Sequence, residues 1–167
     1  MYLLRKITLG KWAKAFENSD LKSDEIDADT VMYEFKTDSN KLSVWVVEND
    51  TDLEDAFIAL ASNMDSIGTI NAIKIDVSDL KGLTLDNELG NTPTIDINQK
   101  HRNIINLTYG GIGIVINAIL KSIREQLLVR KTKGDMKKLL IKAHESGKLD
   151  VQKVSEKILK SIGISEL

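Results

Sequence analysis

Apolar positions along this chain recur with two different periods, and the longest run has the period of a helix. From Asn103 to Leu120 no charged residue occurs, and Ile112, Val115, Ile116, Ile119, Leu120, Ile123 and Leu127 return at helical spacing down one side. The spacing predicts one long buried helix within 101–130, around which the rest of the chain is organised.

The first half alternates instead. Residues 1–9 place Leu3, Ile7 and Leu9 on one side of a strand and Leu4 on the other, so both faces need cover. A brief helix carrying Trp12 and Phe16 follows, then a loop in which Asp20, Asp24, Glu25, Asp27 and Asp29 crowd together. From Thr30 the period is two, with Val31, Tyr33 and Phe35 facing one way and Glu34 and Lys36 the other, which predicts a half-buried strand. Turn residues at 37–41 lead into LSVWVV, apolar on both sides and therefore a central strand, so the two together read as a hairpin.

Thr51 and Glu54 then stand in capping-box relation, and Leu53, Ala56, Phe57, Leu60, Ala61 and Met64 trace a helical stripe over about 52–63. Another strand follows, with Ile73, Ile75 and Val77 on one face. Residues 42–77 thus read as strand, helix, strand, the pattern of a right-handed crossover between parallel strands. The stretch 78–98 loses its period and carries Gly82, Gly90 and Pro93; a loop of that length in a compact domain is uncommon and is a place to look for a binding surface.

Beyond the long helix, Met136, Leu139, Leu140 and Ala143 form a short amphipathic helix that Gly147 ends. Val151, Val154, Ile158, Leu159 and Ile162 form another before Gly163. The expected fold is α+β: a small mixed sheet with a hairpin and a βαβ unit, then a helical portion built on the long helix and a helical hairpin.

Charge divides the chain at the same place. Residues 1–98 hold 19 acidic and 9 basic side chains, and 99–167 hold 6 and 14, so a net charge of −2 conceals an acidic half and a basic half. They are read as an acidic α+β domain, 1–98, and a basic helical portion, 99–167, packed together as one unit. The 167 residues suffice for one core. Without cysteine there is no disulfide framework, thiolate zinc site or thiol nucleophile, and a reducing cytoplasm is the natural compartment. The N-terminal run is interrupted by Arg5 and Lys6 and reads as a strand rather than a leader.

The uncharged run reaches the length at which a membrane span is considered. Asn103, Asn106 and Asn117, three glycines and a stripe that continues past Lys121 favour a core or oligomer helix instead. Gly110, Gly111 and Gly113 complete no phosphate-loop pattern and read as a helix break or a close helix contact. His101 and His144 belong to no metal or triad spacing and read as surface or capping residues.

Three functional classes follow. The leading expectation is a non-enzymatic interaction protein, a subunit or regulator of a larger assembly, with a protein partner or a homo-oligomer and no cofactor. Its contact surfaces are expected on the helix 112–127, through Ile112, Ile116, Ile119, Ile123 and Leu127, and on the helical hairpin 136–162. The first alternative is nucleic-acid binding through Arg130, Lys131, Lys133, Lys137, Lys138 and Lys142, although this cluster has no aromatic for stacking and the whole chain has a pI near 5.7. The second is a metal-dependent enzyme using Asp76, Asp79, Asp86 and Glu88 around the end of the last predicted strand.

Overall fold

The apolar strands of the first half meet in the middle of one sheet. The computed structural model describes residues 1–37 and 39–164. In chain order the strands are β1 (Tyr2–Ile7), β2 (Leu42–Val47), β3 (Ile70–Asp76), β4 (Thr84–Leu85), β5 (His101–Ile105) and β6 (Leu128–Lys131). The helices are α1 (Ala13–Glu17), α2 (Ala28–Glu34), α3 (Asp50–Ser62), α4 (Tyr109–Arg124), α5 (Lys133–Glu145) and α6 (Glu156–Ile162). The α+β class is as the sequence pattern predicts.

The sheet order is β4-β5-β2-β1-β3-β6, and every ladder is antiparallel, where a mixed sheet was expected. β2 and β3 do run in the same direction through α3, but β1 lies between them and pairs with both. Hydrophobic alternation in β1 explains the arrangement: Leu3 and Ile7 are buried on one face and Leu4 on the other, so this strand requires neighbours on both edges and helices on both faces.

Two cores result, one on each face. On the first, Leu3, Ile7, Val44, Ile73, Ile75 and Ile104 meet Val115, Ile116, Ile119 and Leu120 of α4. On the second, Leu4, Trp45, Val47 and Ile70 meet Phe57 and Ala61 of α3, with Met136, Leu140 and Ile158 from α5 and α6 behind. No helix among the described residues is long and apolar enough to cross a membrane.

Three expected elements change. The segment expected as a strand from Thr30 is helix α2, because its buried positions are Thr30, Glu34 and Phe35, a helical spacing, while Tyr33 is 62% exposed. Glu34 is held there by its side chain, which accepts from the Thr8 N–H at 3.1 Å, and its carbonyl accepts from Arg5 at 2.8 Å. No hairpin therefore joins it to β2; of the expected turn 37–41, Asp38 lies outside the described residues.

The long helix is shorter than 101–130, since β5 precedes it and β6 follows it. Thr108 starts α4, its hydroxyl accepting from the Gly111 N–H at 3.2 Å. Gly111 fits a close contact, because an added Cβ would lie 3.2 Å from Leu83 and 3.3 Å from Leu107. At the other end Gln126 takes the left-handed conformation (φ 57°), and the Leu127 N–H reaches back to the Ser122 carbonyl at 2.9 Å. Residues beyond 98 thus supply two strands to the same sheet as residues 1–98.

At α3 the cap differs as well. Asn49, not Thr51, is the N-cap, accepting from the Asp52 N–H at 3.0 Å, while Asp52 accepts from the Glu48 N–H at 2.9 Å.

Candidate functional site

Helix α3 covers only part of its sheet face, and the uncovered part is a groove of about 690 Å³. That volume lies within the range of small-ligand and peptide-anchoring pockets. Its floor is formed by two cross-strand pairs, Trp45 opposite His101 and Ser43 opposite Asn103. One wall is the C-terminal end of α3, with Leu60, Asn63 and Met64; the other is the loop at 88–92.

The floor is tied together by hydrogen bonds. Ser43 Oγ donates to Asn103 Oδ1 at 3.2 Å, and Asn103 Nδ2 donates to Glu88 Oε2 at 3.1 Å. The Asn103 backbone N–H donates to Asp86 Oδ1 at 3.0 Å. Partial desolvation pushes the Asp86 carboxyl up, but hydrogen bonds from the Asn103 and Glu88 N–H groups outweigh it and hold the group below the usual carboxylate range. His101 is 9% exposed, so of the expected surface or capping roles it takes the second, ending the helical turn Ile97–Lys100. Its ring lies edge-on to Trp45 with centroids 5.2 Å apart, and its Nδ1 is 3.0 Å from the Glu88 carbonyl oxygen. A carbonyl only accepts, so Nδ1 carries a proton.

Within the stretch 78–98, flagged by its length, residues 86–98 are held in a fixed shape. Asn98 accepts from the Thr92 hydroxyl at 2.8 Å and donates to the Thr92 and Thr94 carbonyls, each at 3.0 Å. Beyond it Thr94 bridges to Leu149, which anchors the loop on the segment between α5 and α6. Gly90 sits where a Cβ would come within 2.6 Å of Asn98 Oδ1, 3.0 Å of the His101 Cβ and 3.1 Å of the Trp45 ring. Gly90→Ala is therefore expected to cost about 1–3 kcal/mol, because neither the network nor the edge-on ring pair can give way without strain. An unchanged thermal midpoint would show that the loop yields freely.

Charge on the groove is one-sided. Among the described residues, Arg5, Lys6, Lys36 and Lys41 line it against one carboxylate, Glu88, which pairs with Lys41 at 2.6 Å. Arg5 is committed to the fold, donating to the Ser43 and Glu34 carbonyls. Lys6 and Lys36 are exposed. This acidic half of the chain thus presents a cationic rim.

The other expected sites fare differently. In α4, Ile116, Ile119 and Ile123 are 4%, 1% and 7% exposed and pack on the sheet, so these three belong to the chain's own core rather than to an open contact surface. Ile112 and Leu127 are half-buried at the margins. The apolar side of the hairpin 136–162 is likewise turned inward, onto α3.

The four carboxylates do not converge. Asp76 caps the turn after β3 by accepting from the Ser78 N–H, which lowers its carboxyl, and Asp79 pairs with Lys121 at 2.7 Å. Asp86 and Glu88 lie beyond β4, with β5, β2 and β1 between them and β3. Among the described residues no group of three or more histidine or carboxylate side chains is placed to hold a metal ion.

Lys133, Lys137 and Lys138 are exposed on α5, and Arg130 on the edge strand β6. Lys142 is paired with Glu54 at 2.9 Å, and Lys131 and Lys138 lie close enough to Asp135 to add to the lowering that hydrogen bonds from Thr132 produce. The basic cluster is thus partly neutralised by its own neighbours.

Nothing local in the sequence marks Lys6, Lys36, Lys41, Trp45 or Asn103 as neighbours; pairing of β1, β2 and β5 brings them together. Neither the protein-family models, nor the curated proteins, nor the solved structures include a match to this chain.

Proposed function

We propose that the chain is a non-enzymatic interaction protein, a subunit or regulator of a larger cytoplasmic assembly, and that it engages its partner at the groove beside α3. The observation that carries this reading is the fixed loop that displays Leu89, 64% exposed, across the groove from Leu60 and Met64. An apolar residue displayed on a loop already held in shape loses little conformational freedom when a partner covers it. Polar groups of the floor would then fix the partner's orientation, and the lysine rim its approach.

A second reading, nucleic-acid binding, rests on the exposed lysines of α5. One experiment separates the two. The tagged chain is purified from its own host under native conditions, and co-purifying protein and nucleic acid are quantified. A stoichiometric protein that is lost with Leu89→Asp and retained with Lys137→Glu/Lys138→Glu is the expected result. Nucleic acid that is lost with the lysine pair and retained with Leu89→Asp would replace this reading with the second.

A further inference from the structure

We infer that the groove accepts an acidic peptide segment of a partner protein, one that carries an aliphatic side chain among its carboxylates. This rests on the interaction-protein reading and names the chemistry of the partner. Three features of the groove point to it together. Its rim is cationic, through Lys6 and Lys36 beside the Lys41–Glu88 pair, in a half of the chain that is otherwise strongly acidic. Its walls are aliphatic, through Leu60 on α3, Met64 just past its end and Leu89 on the facing loop. Its floor offers the hydroxyl of Ser43 and, on the walls, the amides of Asn63 and Asn91, which suit the alternating donors and acceptors of a peptide backbone.

The same features disfavour a nucleic-acid strand. A base needs an open aromatic face, and Trp45 is only 4% exposed, closed in by His101 and by the loop at Gly90. Glu88 stands on the groove wall, where it would repel an unbroken run of phosphates. A peptide can place a neutral or basic residue at that point, and its aliphatic side chain gains from Leu60, Met64 and Leu89 what a sugar-phosphate chain cannot.

Lys6 and Lys36 can be reversed without disturbing the floor, since the Lys41–Glu88 pair stays intact. The test is selection of a displayed library of random peptides on the full-length protein, followed by fluorescence anisotropy of the labelled selected peptides and of a labelled oligo-dT of similar length. Two variants are compared: Lys6→Glu/Lys36→Glu, and Lys137→Glu/Lys138→Glu, which changes net charge equally but lies on α5. Both are first checked for an unchanged thermal midpoint. If the groove pair fails that check, Lys6→Gln/Lys36→Gln takes its place.

The expected result is enrichment of sequences with Asp or Glu around Leu, Ile or Val, with affinity about ten-fold weaker for the groove pair, unchanged for the α5 pair, and falling with salt. Basic or purely aromatic sequences, no enrichment, equal binding by both variants, or tighter binding of oligo-dT would overturn it. Failure here is distinct from failure of the broader reading. A host protein lost with Leu89→Asp but indifferent to Lys6→Glu/Lys36→Glu keeps the interaction function and removes the acidic peptide.

Discussion

Ile119→Asp is expected to leave no cooperative unfolding transition at all. Ile119 is 1% exposed in the layer between α4 and the sheet, with Ile116 and Leu120 beside it and Leu3, Ile73 and Ile75 in the same core. An ionised carboxylate there finds no partner, and its neutral form still buries a polar group in an aliphatic site. Either cost is several kcal/mol, a large part of the ~5–15 kcal/mol by which a domain is stable. The graded series Ile119→Val and Ile119→Ala should lower stability by about 1 and about 3–4 kcal/mol, read from denaturant midpoints at constant slope. Ile112→Asp, on the half-buried margin of the same helix, should leave the protein folded. Were Ile119→Asp to fold normally and lose only a binding partner, α4 would be an interface helix and the packing described above would be mistaken.

That contrast shows how far an apolar stripe can be read. The period of Ile112 to Leu127 specifies a helix with one buried side, and the helix is there. A stripe does not say what buries it. In this fold the cover is the chain's own sheet, because β5 before α4 and β6 after it pair with strands far away in sequence. The boundary at Gln126 was hidden for a local reason. The left-handed position that ends a helix is commonly glycine, and here a glutamine holds it, stabilised by the Leu127 to Ser122 hydrogen bond. β6 follows at once, and its four residues are too few for a period to emerge.

Period two misled at Thr30 to Lys36 for the opposite reason. Val31, Tyr33 and Phe35 alternate, yet Tyr33 faces solvent with Lys11 lying 5.2 Å above its ring, while Glu34 is the residue turned inward. A buried glutamate is intelligible only once Thr8 and Arg5 are beside it, and both belong to another element. The candidate site divides in the same way. The stretch 78–98 was legible as a long aperiodic loop, and residues 88–92 of it do line the groove. The lysines opposite it were not, because each is an ordinary surface residue in sequence and joins the others at one groove only through the fold.

The second large effect is expected from the ion network that fastens α3 to the rest of the molecule. Asp55 is 5% exposed and receives Lys100 at 3.0 Å on one oxygen and Lys148 at 2.8 Å on the other; Lys100 also donates to Asp52 at 2.5 Å. Removing the shared carboxylate by Asp55→Ala leaves the Lys148 ammonium without its carboxylate and Lys100 with Asp52 alone. Because Lys100 and Lys148 keep about a third or more of their side-chain surface in water, the cost is set below that of a fully buried pair, at about 2–3 kcal/mol, or roughly 4–12 °C in melting temperature. In a double-mutant cycle, Asp55→Ala and Lys148→Met should fall short of additivity by more than about 0.5 kcal/mol; simple additivity would mean that the pair is ornamental. Acid should reveal the other carboxylate. The hydrogen bond from Lys100, joined by the Glu48 and Asn49 backbone contacts, holds the Asp52 carboxyl below its unfolded value against the opposing effect of burial. The folded state therefore binds fewer protons, so this contribution is complete above about pH 4 and is lost as pH falls through the depressed folded value. For Lys100, burial pulls the ammonium down, but its hydrogen bonds to Asp52 and Asp55 more than offset that and raise it above 10.5. Its contribution is complete below that value and fades only in strong alkali. Asp52→Asn should accordingly flatten the acid limb of the stability profile and leave the slope between about pH 5 and 8 unchanged. An acid limb as steep as that of the unaltered protein would place the responsible carboxylates elsewhere.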